Sequence, residues 1–299
     1  MATPAINRKM IEKAIGLDVD QVFLDLEDSV PADRKTEARQ NAAAALNELD
    51  WGSKTRAVRV NNAHSPWCYR DVVEIVREAG ANLDVIIVPK VKGPAELHFF
   101  DLLLNQLETE LGLARQIGLE CLIEQPEAVE YIREIALATP RLEALIFGAA
   151  DFAAAMGIPV LNLNDLYRNQ EKNPAFTGHR WQYVLNRIAV AGRAARLQLI
   201  GASFPGYDAG SIDHYRLEAQ WEEALGFDGK WAIHPNQVPV AMDVFTPSDL
   251  AMANAQKLID AYAAAVKQGQ GAFLFDGQMV DAATVEVAER IVARKKQLK

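Results

Sequence analysis

LIFGAAD, residues 145–151, places an unbroken apolar run, three small residues and a carboxylate in seven positions. A short apolar run closed by turn residues reads as a strand covered on both faces, the habit of parallel sheets. Gly148, Ala149 and Ala150 leave room for a ligand or a second backbone to come close. Asp151 therefore stands at the rim of a crowded pocket. The plainer alternative is that it caps a helix over 152–156.

The same design recurs on both sides of this stretch. VFLDLED (22–28) ends in Glu27 and Asp28, AVRVNN (57–62) carries Arg59, VIIVPK (85–90) ends in Lys90, and ECLIE (120–124) ends in Glu124. Beyond residue 151, LQLIGA (197–202) and KWAIHP (230–235), with His234, complete the series. Segments of helical period separate these runs. Ala38, Ala42, Ala45 and Leu46 share one face, as do Val72, Ile75, Val76 and Ala79, then Leu97, Leu104 and Leu107, and later Val184, Leu185 and Ile188. A long connection through Asn162, Asn164 and Pro174 follows the central stretch. Seven strand candidates alternate with helices, and residues 1–4 hold a truncated eighth. Strict alternation implies a parallel sheet. Eight units within residues 1–245 fit a (β/α)8 TIM barrel better than a doubly wound sheet, whose glycine fingerprint is missing after the first strand.

Residues 246–299 form an arm outside that rhythm. A helix starting at Thr246-Pro247-Ser248-Asp249 runs through Leu258, Ile259 and Tyr262, and Asp276-Gly277 between apolar runs is a hairpin signal. A final helix carries Val285, Ala288 and Ile291, with Asp281 where an N-cap belongs. The fold expected is α/β, a barrel with a C-terminal helix-hairpin-helix arm that acts as a lid or touches a neighbouring subunit.

A net charge of -9 argues against a nucleic-acid or anionic-membrane surface. Two cysteines make neither a disulfide framework nor a metal-ligand spacing, which suits a reducing compartment. With no secretory leader pattern and no run long enough to span a bilayer, the expected location is the cytoplasm.

In a barrel, the C-terminal ends of the strands face the active site. Here they bring together Glu27, Asp28, Arg59, Lys90, Glu124, Asp151 and His234. Two carboxylates on neighbouring strands without histidine or cysteine nearby suit a hard divalent cation, Mg²⁺ or else Mn²⁺. Glu124 and Asp151 are the candidate ligands, and Glu27 and Asp28 the candidates to hydrogen-bond the ion's waters. A strand-end turn and a helix cap are the alternative for that second pair. Arg59 suits an enolate or a carboxylate, against the alternative of a structural ion pair. Lys90 fits a salt bridge to the acids better than a Schiff base, which would leave the acid pair without a purpose.

Together VFLDLEDSV (22–30), RVN (59–61), VPKV (88–91), LIE (122–124) and GAADFAAAMG (148–157) resemble the citrate lyase β-subunit-like family of the HpcH/HpaI aldolases. WCYRD (67–71) and GKWAIHP (229–235) are similar to its malyl-CoA lyase branch. The resemblance implies a Mg²⁺-dependent lyase on a TIM barrel that takes CoA thioesters, working as a homotrimer or homohexamer. It matches Glu124 and Asp151 to the metal ligands and Arg59 to the arginine at the thioester or enolate oxygen. It also matches Asp281 to an acid/base aspartate delivered by a neighbouring subunit's arm, and Lys13, Ala150, Ile233 and His234 to CoA or substrate contacts. Relatives carry an arginine near position 7, where this chain has Asn7; Arg8 is the candidate replacement. The sibling activities the pattern leaves open are citramalyl-CoA lyase, malyl-CoA thioesterase and a citrate lyase β-like subunit of a complex.

Overall fold

Eight parallel strands pair in strict chain order: β1 (Ala2–Pro4), β2 (Gln21–Asp25), β3 (Thr55–Arg59), β4 (Val85–Val88), β5 (Gly118–Ile123), β6 (Leu142–Phe147), β7 (Gln198–Gly201) and β8 (Gly229–Lys230). Just past β8 the Ala232 carbonyl accepts the Ala2 amide at 2.9 Å, so the curled sheet meets its own first strand. This computed structural model describes residues 1–159 and 179–297. The expected connection through Asn162, Asn164 and Pro174 lies outside them.

The sheet wraps an apolar core of Phe23, Ala57, Val85, Ile87, Leu122 and Ile146, with Ala2, Ile200 and Trp231 packed against it. Each large side chain buried there contributes roughly 1.5–3 kcal/mol relative to exposure. Side chains two residues apart on a strand share a face. Asp25, Arg59, Glu124 and Gly148 each lie two residues beyond Phe23, Ala57, Leu122 or Ile146, which puts them one layer above that core, at the C-terminal mouth. Helices over Lys35–Glu48, Cys68–Ala79, Pro94–Leu111, Gln182–Ala194 and Ala209–Ala224 alternate with the strands.

Several boundaries differ from the sequence reading. The truncated first strand is real: β1 pairs with β2 in register from Ala2↔Phe23 to Pro4↔Asp25. β2 ends at Asp25 instead of running through Asp28. The Asp25 carboxylate accepts the Glu27 amide at 2.9 Å and the Ser29 amide at 3.2 Å, which turns the chain out of the ladder. β8 stops at Lys230, so His234 lies beyond a strand; its Nδ1 accepts the Asn236 amide and caps the turn Pro235–Gln237. The helix expected over 152–156 spans Ala149–Ala155 and has Gly148 as its N-cap, which places Asp151 inside the first turn instead of at the cap.

At the opposite end of the barrel, Glu120 is buried and accepts Gln21 Nε2 at 3.0 Å. Burial, with Glu143 adding repulsion, pushes its carboxyl up to about 7. The folded state therefore holds this proton more tightly than the unfolded chain does, and the stability it supplies is lost as pH rises from about 4.5 through about 7. Thermal melts of Glu120→Gln should lose part of the wild type's decline between pH 5 and pH 8, on the order of 3 kcal/mol. An unchanged pH slope would refute that account of Glu120.

Residues Met242–Lys299 cluster as a second unit. Its helix Asp249–Lys267 is capped by Ser248, whose Oγ accepts the Ala251 amide at 3.1 Å. Strands Phe273–Phe275 and Gln278–Val280 form an antiparallel hairpin about Asp276 (φ 48°) and Gly277 (φ 79°), the left-handed pair that a two-residue hairpin turn requires. The helix Ala282–Gln297 closes the unit and packs on the first helix. Among the described residues no helix is long and apolar enough to cross a membrane.

Candidate active site

Five acids and two bases meet at the mouth of the barrel. Arg59 Nε and Nη2 reach Asp25 Oδ1 and Oδ2 at 2.7 and 2.8 Å, a bidentate grip, and Nη1 lies 3.2 Å from Glu27 Oε2. The rings of Phe23 and Trp231, 5.9 and 5.7 Å from the guanidinium carbon, hold the same side chain from the core side. Lys90 Nζ lies 2.9 Å from Glu27 Oε1, 3.0 Å from both Asp28 oxygens and 3.6 Å from Asp151 Oδ1. Its backbone amide donates to Glu124 Oε1 at 2.7 Å. Lys90 makes these contacts from a left-handed conformation, φ 53°, that a non-glycine residue adopts at a cost. One strand-end residue thus links Glu27, Asp28, Glu124 and Asp151.

The electrostatics follow from burial. Glu124 and Glu27 are 2% and 3% exposed, whereas the Asp151 side chain is 37% exposed and opens to solvent. Burial first, then repulsion from Asp151 and Glu27, pushes the Glu124 carboxyl up to about 8. Burial likewise pushes Glu27 to about 7, with Arg59 opposing and Asp28 adding to it. Burial also works against charge on Asp25, but Arg59 outweighs it and holds that carboxyl below its ordinary range. Arg59 and Lys90 stay charged because their acid partners outweigh their own desolvation. Were Asp25, Glu27, Asp28, Glu124 and Asp151 all ionised, five negative charges would face three positive ones, Arg59, Lys90 and the nearby buried Lys35. The site has room for a further cation.

The donor set says which cation. Among the described residues no three His, Cys, Asp or Glu side chains form a ready-made metal cage. A hard ion of the Mg²⁺ type needs none, because it takes one or two carboxylates and fills its other positions with water and substrate oxygens. Both Glu27 carboxylate oxygens are buried, and although Arg59 and Lys90 approach them, neither receives a well-directed hydrogen bond. Oxygen donors left short of partners beside Glu124, with neither imidazole nor thiolate at hand, fit such an ion.

Gly148 is required by this arrangement. A Cβ there would lie 2.6 Å from the Glu124 Cβ, closer than carbon atoms pack, so Glu124 would have to move. Gly148→Ala should therefore weaken divalent-cation affinity about 10- to 100-fold, the usual effect of disturbing the groups that aim a ligand. Mn²⁺ titration by electron paramagnetic resonance measures it, and wild-type affinity in the variant would remove Glu124 from the ion site.

The remaining residues singled out in the sequence fall elsewhere. Arg8 pairs with Glu12 and Glu48, each at 3.1 Å, and Lys13 is exposed in the last turn of the helix Arg8–Ile15. Ala150 is half-buried in the first turn that also holds Asp151. Ile233 is exposed, and the His234 ring stacks on Tyr207 at 4.3 Å. Asp281 belongs to the second unit and caps its last helix, accepting the Thr284 amide and hydroxyl at 3.0 Å each. Asp25 was missed as a site residue, although its strand parity with Phe23 was a usable signal.

Residues 1–235 match the family model described as HpcH/HpaI aldolase/citrate lyase. The chain is 37% identical over 298 residues to an L-malyl-CoA/beta-methylmalyl-CoA lyase of Cereibacter sphaeroides, spanning 99% of this chain and 93% of that one. It is 38% identical over 299 residues to the protein of the same name from Rhodobacter capsulatus, spanning 99% and 92%. Among solved structures, CitE from Mycobacterium tuberculosis, in complex with magnesium, acetoacetate and coenzyme A, superposes with a TM-score of 0.74 at 26% identity, covering 99% of this chain and 96% of that one.

Proposed function

Because the chain belongs to the HpcH/HpaI aldolase/citrate lyase family, we propose that it is a Mg²⁺-dependent carbon–carbon lyase acting on a 3-hydroxyacyl-CoA. Malyl-CoA or β-methylmalyl-CoA would be cleaved reversibly to glyoxylate and acetyl- or propionyl-CoA, the substrates in the names of the two relatives. The observation that carries this reading is the buried acid cluster around Glu124, short of positive charge, at the mouth of the barrel.

Glu124 and Asp151 would hold the ion, and Glu27 and Asp28 would hydrogen-bond its waters. The chemistry such an ion would supply there is polarisation of the carbonyl of a 2-oxo acid and compensation of charge developing on its oxygen. Arg59, its plane set by Asp25, supplies positive charge for the thioester oxygen as the acyl-CoA becomes an enolate. In condensation, Asp281 removes a proton from the methyl group of acetyl-CoA, the resulting carbon nucleophile attacks the aldehyde carbon of glyoxylate, and the aldehyde oxygen takes a proton from water to become the hydroxyl of malyl-CoA. Cleavage reverses these steps, and Asp281 returns the proton. Lys13, Ala150, Ile233 and His234, with Arg8 in place of the missing arginine, contact CoA or substrate. Asp281 reaches the site from a neighbouring subunit, so the working form is a homotrimer or homohexamer whose arm, residues 246–299, completes the neighbour's pocket. The compartment proposed is the cytoplasm.

Product analysis after incubating malyl-, β-methylmalyl- and citramalyl-CoA with Mg²⁺ tests the reading. Glyoxylate with acetyl- or propionyl-CoA is expected, and chelation of the ion should abolish the reaction. Free malate would indicate a thioesterase, pyruvate a citramalyl-CoA lyase, and absence of turnover with a stable hetero-complex a citrate lyase β-like subunit. Full activity after exhaustive chelation would overturn the metal assignment.

A further inference from the structure

Lys35, near the start of the helix Lys35–Glu48, is buried with its ammonium directed at the chain instead of at an acid. Nζ donates to three oxygens: the Leu26 carbonyl at 2.7 Å, the Glu27 carbonyl at 2.8 Å and Asn61 Oδ1 at 2.7 Å. An ammonium has three protons, and all three are placed. The Trp67 ring lies 5.2 Å from Nζ and covers the charge.

Asn61 is held in turn. Its Nδ2 donates to the Leu26 carbonyl at 3.0 Å and to Asp71 Oδ2 at 2.6 Å, and its backbone amide donates to the same Asp71 oxygen at 2.9 Å. Asp71, fully buried, takes its other contact from Arg39 Nη1 at 3.1 Å. These groups form a closed polar network at the ends of β2 and β3, beside the acid cluster, and Asp25, Glu27 and Asp28 also act on the Lys35 charge. It uses residues the proposed mechanism leaves idle: Asn61 from RVN, and Trp67 and Asp71 from WCYRD.

The network acts on two consecutive peptide groups, at Leu26 and Glu27, where the chain leaves the sheet after the Leu26 amide donates to the Arg59 carbonyl at 2.9 Å. The Glu27 carbonyl accepts a turn hydrogen bond from the Val30 amide at 3.0 Å, and Lys35 adds the bond that ties it to the following helix. On the other side of that peptide, the Glu27 carboxylate stands between Arg59 and Lys90. Movement of this backbone would carry the carboxylate out of the gap between them.

We propose that Lys35 is a positioning residue of the active site: with Asn61 and Asp71 it clamps the Leu26–Glu27 carbonyls and so sets the Glu27 carboxylate between Arg59 and Lys90. This rests on the lyase reading only for its assay. Lys35→Met keeps the length and apolar stem of the side chain but removes the three donors.

The test compares kcat, KM for the thioester and Mn²⁺ affinity in wild type, Lys35→Met, Glu27→Gln and the double variant, each checked for a folded melt. Lys35→Met is expected to lower kcat about 10- to 100-fold with little change in KM, the pattern of a lost orienting contact. In the Glu27→Gln background the same change should cost less than about threefold more, because residues acting through one another are not additive. Wild-type kcat in a folded Lys35→Met protein, or losses that multiply in the double variant, would overturn the proposal. Should Lys35→Met not fold, Lys35→Gln, whose shorter side chain carries two donors in place of three and does not reach all three acceptors, takes its place with the same criteria. If the wild type turns over no thioester, the lyase reading has failed, and the same comparison is decided by Mn²⁺ affinity. A wild type that binds no Mn²⁺ either would overturn both.

Discussion

Glu124→Gln is expected to reduce Mg²⁺-dependent cleavage of malyl-CoA by about 10³-fold or more, because an ion worth several kcal/mol to the transition state loses its buried ligand. The variant should nevertheless fold. In the metal-free protein the Glu124 carboxyl is pushed up to about 8, so at neutral pH the native state already favours its uncharged form, and a neutral amide of the same shape fits there. The carboxyl's folded value lies above its unfolded one. The stability it supplies is complete below its unfolded value near 4.5 and is lost as pH rises through about 8. Melts of the metal-free wild type should therefore fall between pH 5 and pH 8, and those of Glu124→Gln should fall less. Mg²⁺ should raise the melting temperature of the wild type and leave that of the variant unmoved. A variant that retains a tenth of wild-type turnover, or is still stabilised by the ion, would remove Glu124 from the metal site.

Asp281→Asn should cost about 10²- to 10⁴-fold in kcat, the range for loss of a positioned acid or base. The competing account is that Asp281 only caps the helix Ala282–Gln297 through Thr284. Asparagine caps helices as well as aspartate does, so on that account the substitution costs almost nothing. The hydrogen bonds from Thr284 hold the Asp281 carboxyl below its ordinary value, which keeps it ionised and able to accept a proton at neutral pH. Mixing separates delivery in trans from delivery in cis. If each site takes Glu124 from one subunit and Asp281 from the next, a ring reassembled from equal parts of the two inactive variants regains about a quarter of its sites. Recovery near zero, with mixed rings verified by mass, would place Asp281 in its own chain's site.

These tests probe residues that differ in how plainly the chain announces them. Glu124 is visible because it directly follows an apolar run that reads as a covered strand, whereas Asp151, three small residues beyond its own run, could also be read as a helix cap. Asp281 is ambiguous by the same logic, since an aspartate before an amphipathic helix already has a local reason to be there.

The amino-acid sequence by itself determined the alternation of strands and helices, the arm with its Asp276-Gly277 hairpin, and the acids and bases at the strand ends. Periods of two and 3.6 and the turn chemistry are written over a few neighbouring residues. Only the tertiary structure decided that β2 stops at Asp25, that this carboxylate grips Arg59, and that Lys35, nine residues beyond Leu26, returns to clamp the backbone at Glu27. It also decided that Lys90 takes a left-handed conformation to reach Glu124. Those outcomes depend on which side chains the closing sheet brings face to face, with 34 positions between Asp25 and Arg59 and between Lys90 and Glu124. No local pattern encodes distances of that kind; curling eight strands around one apolar core does.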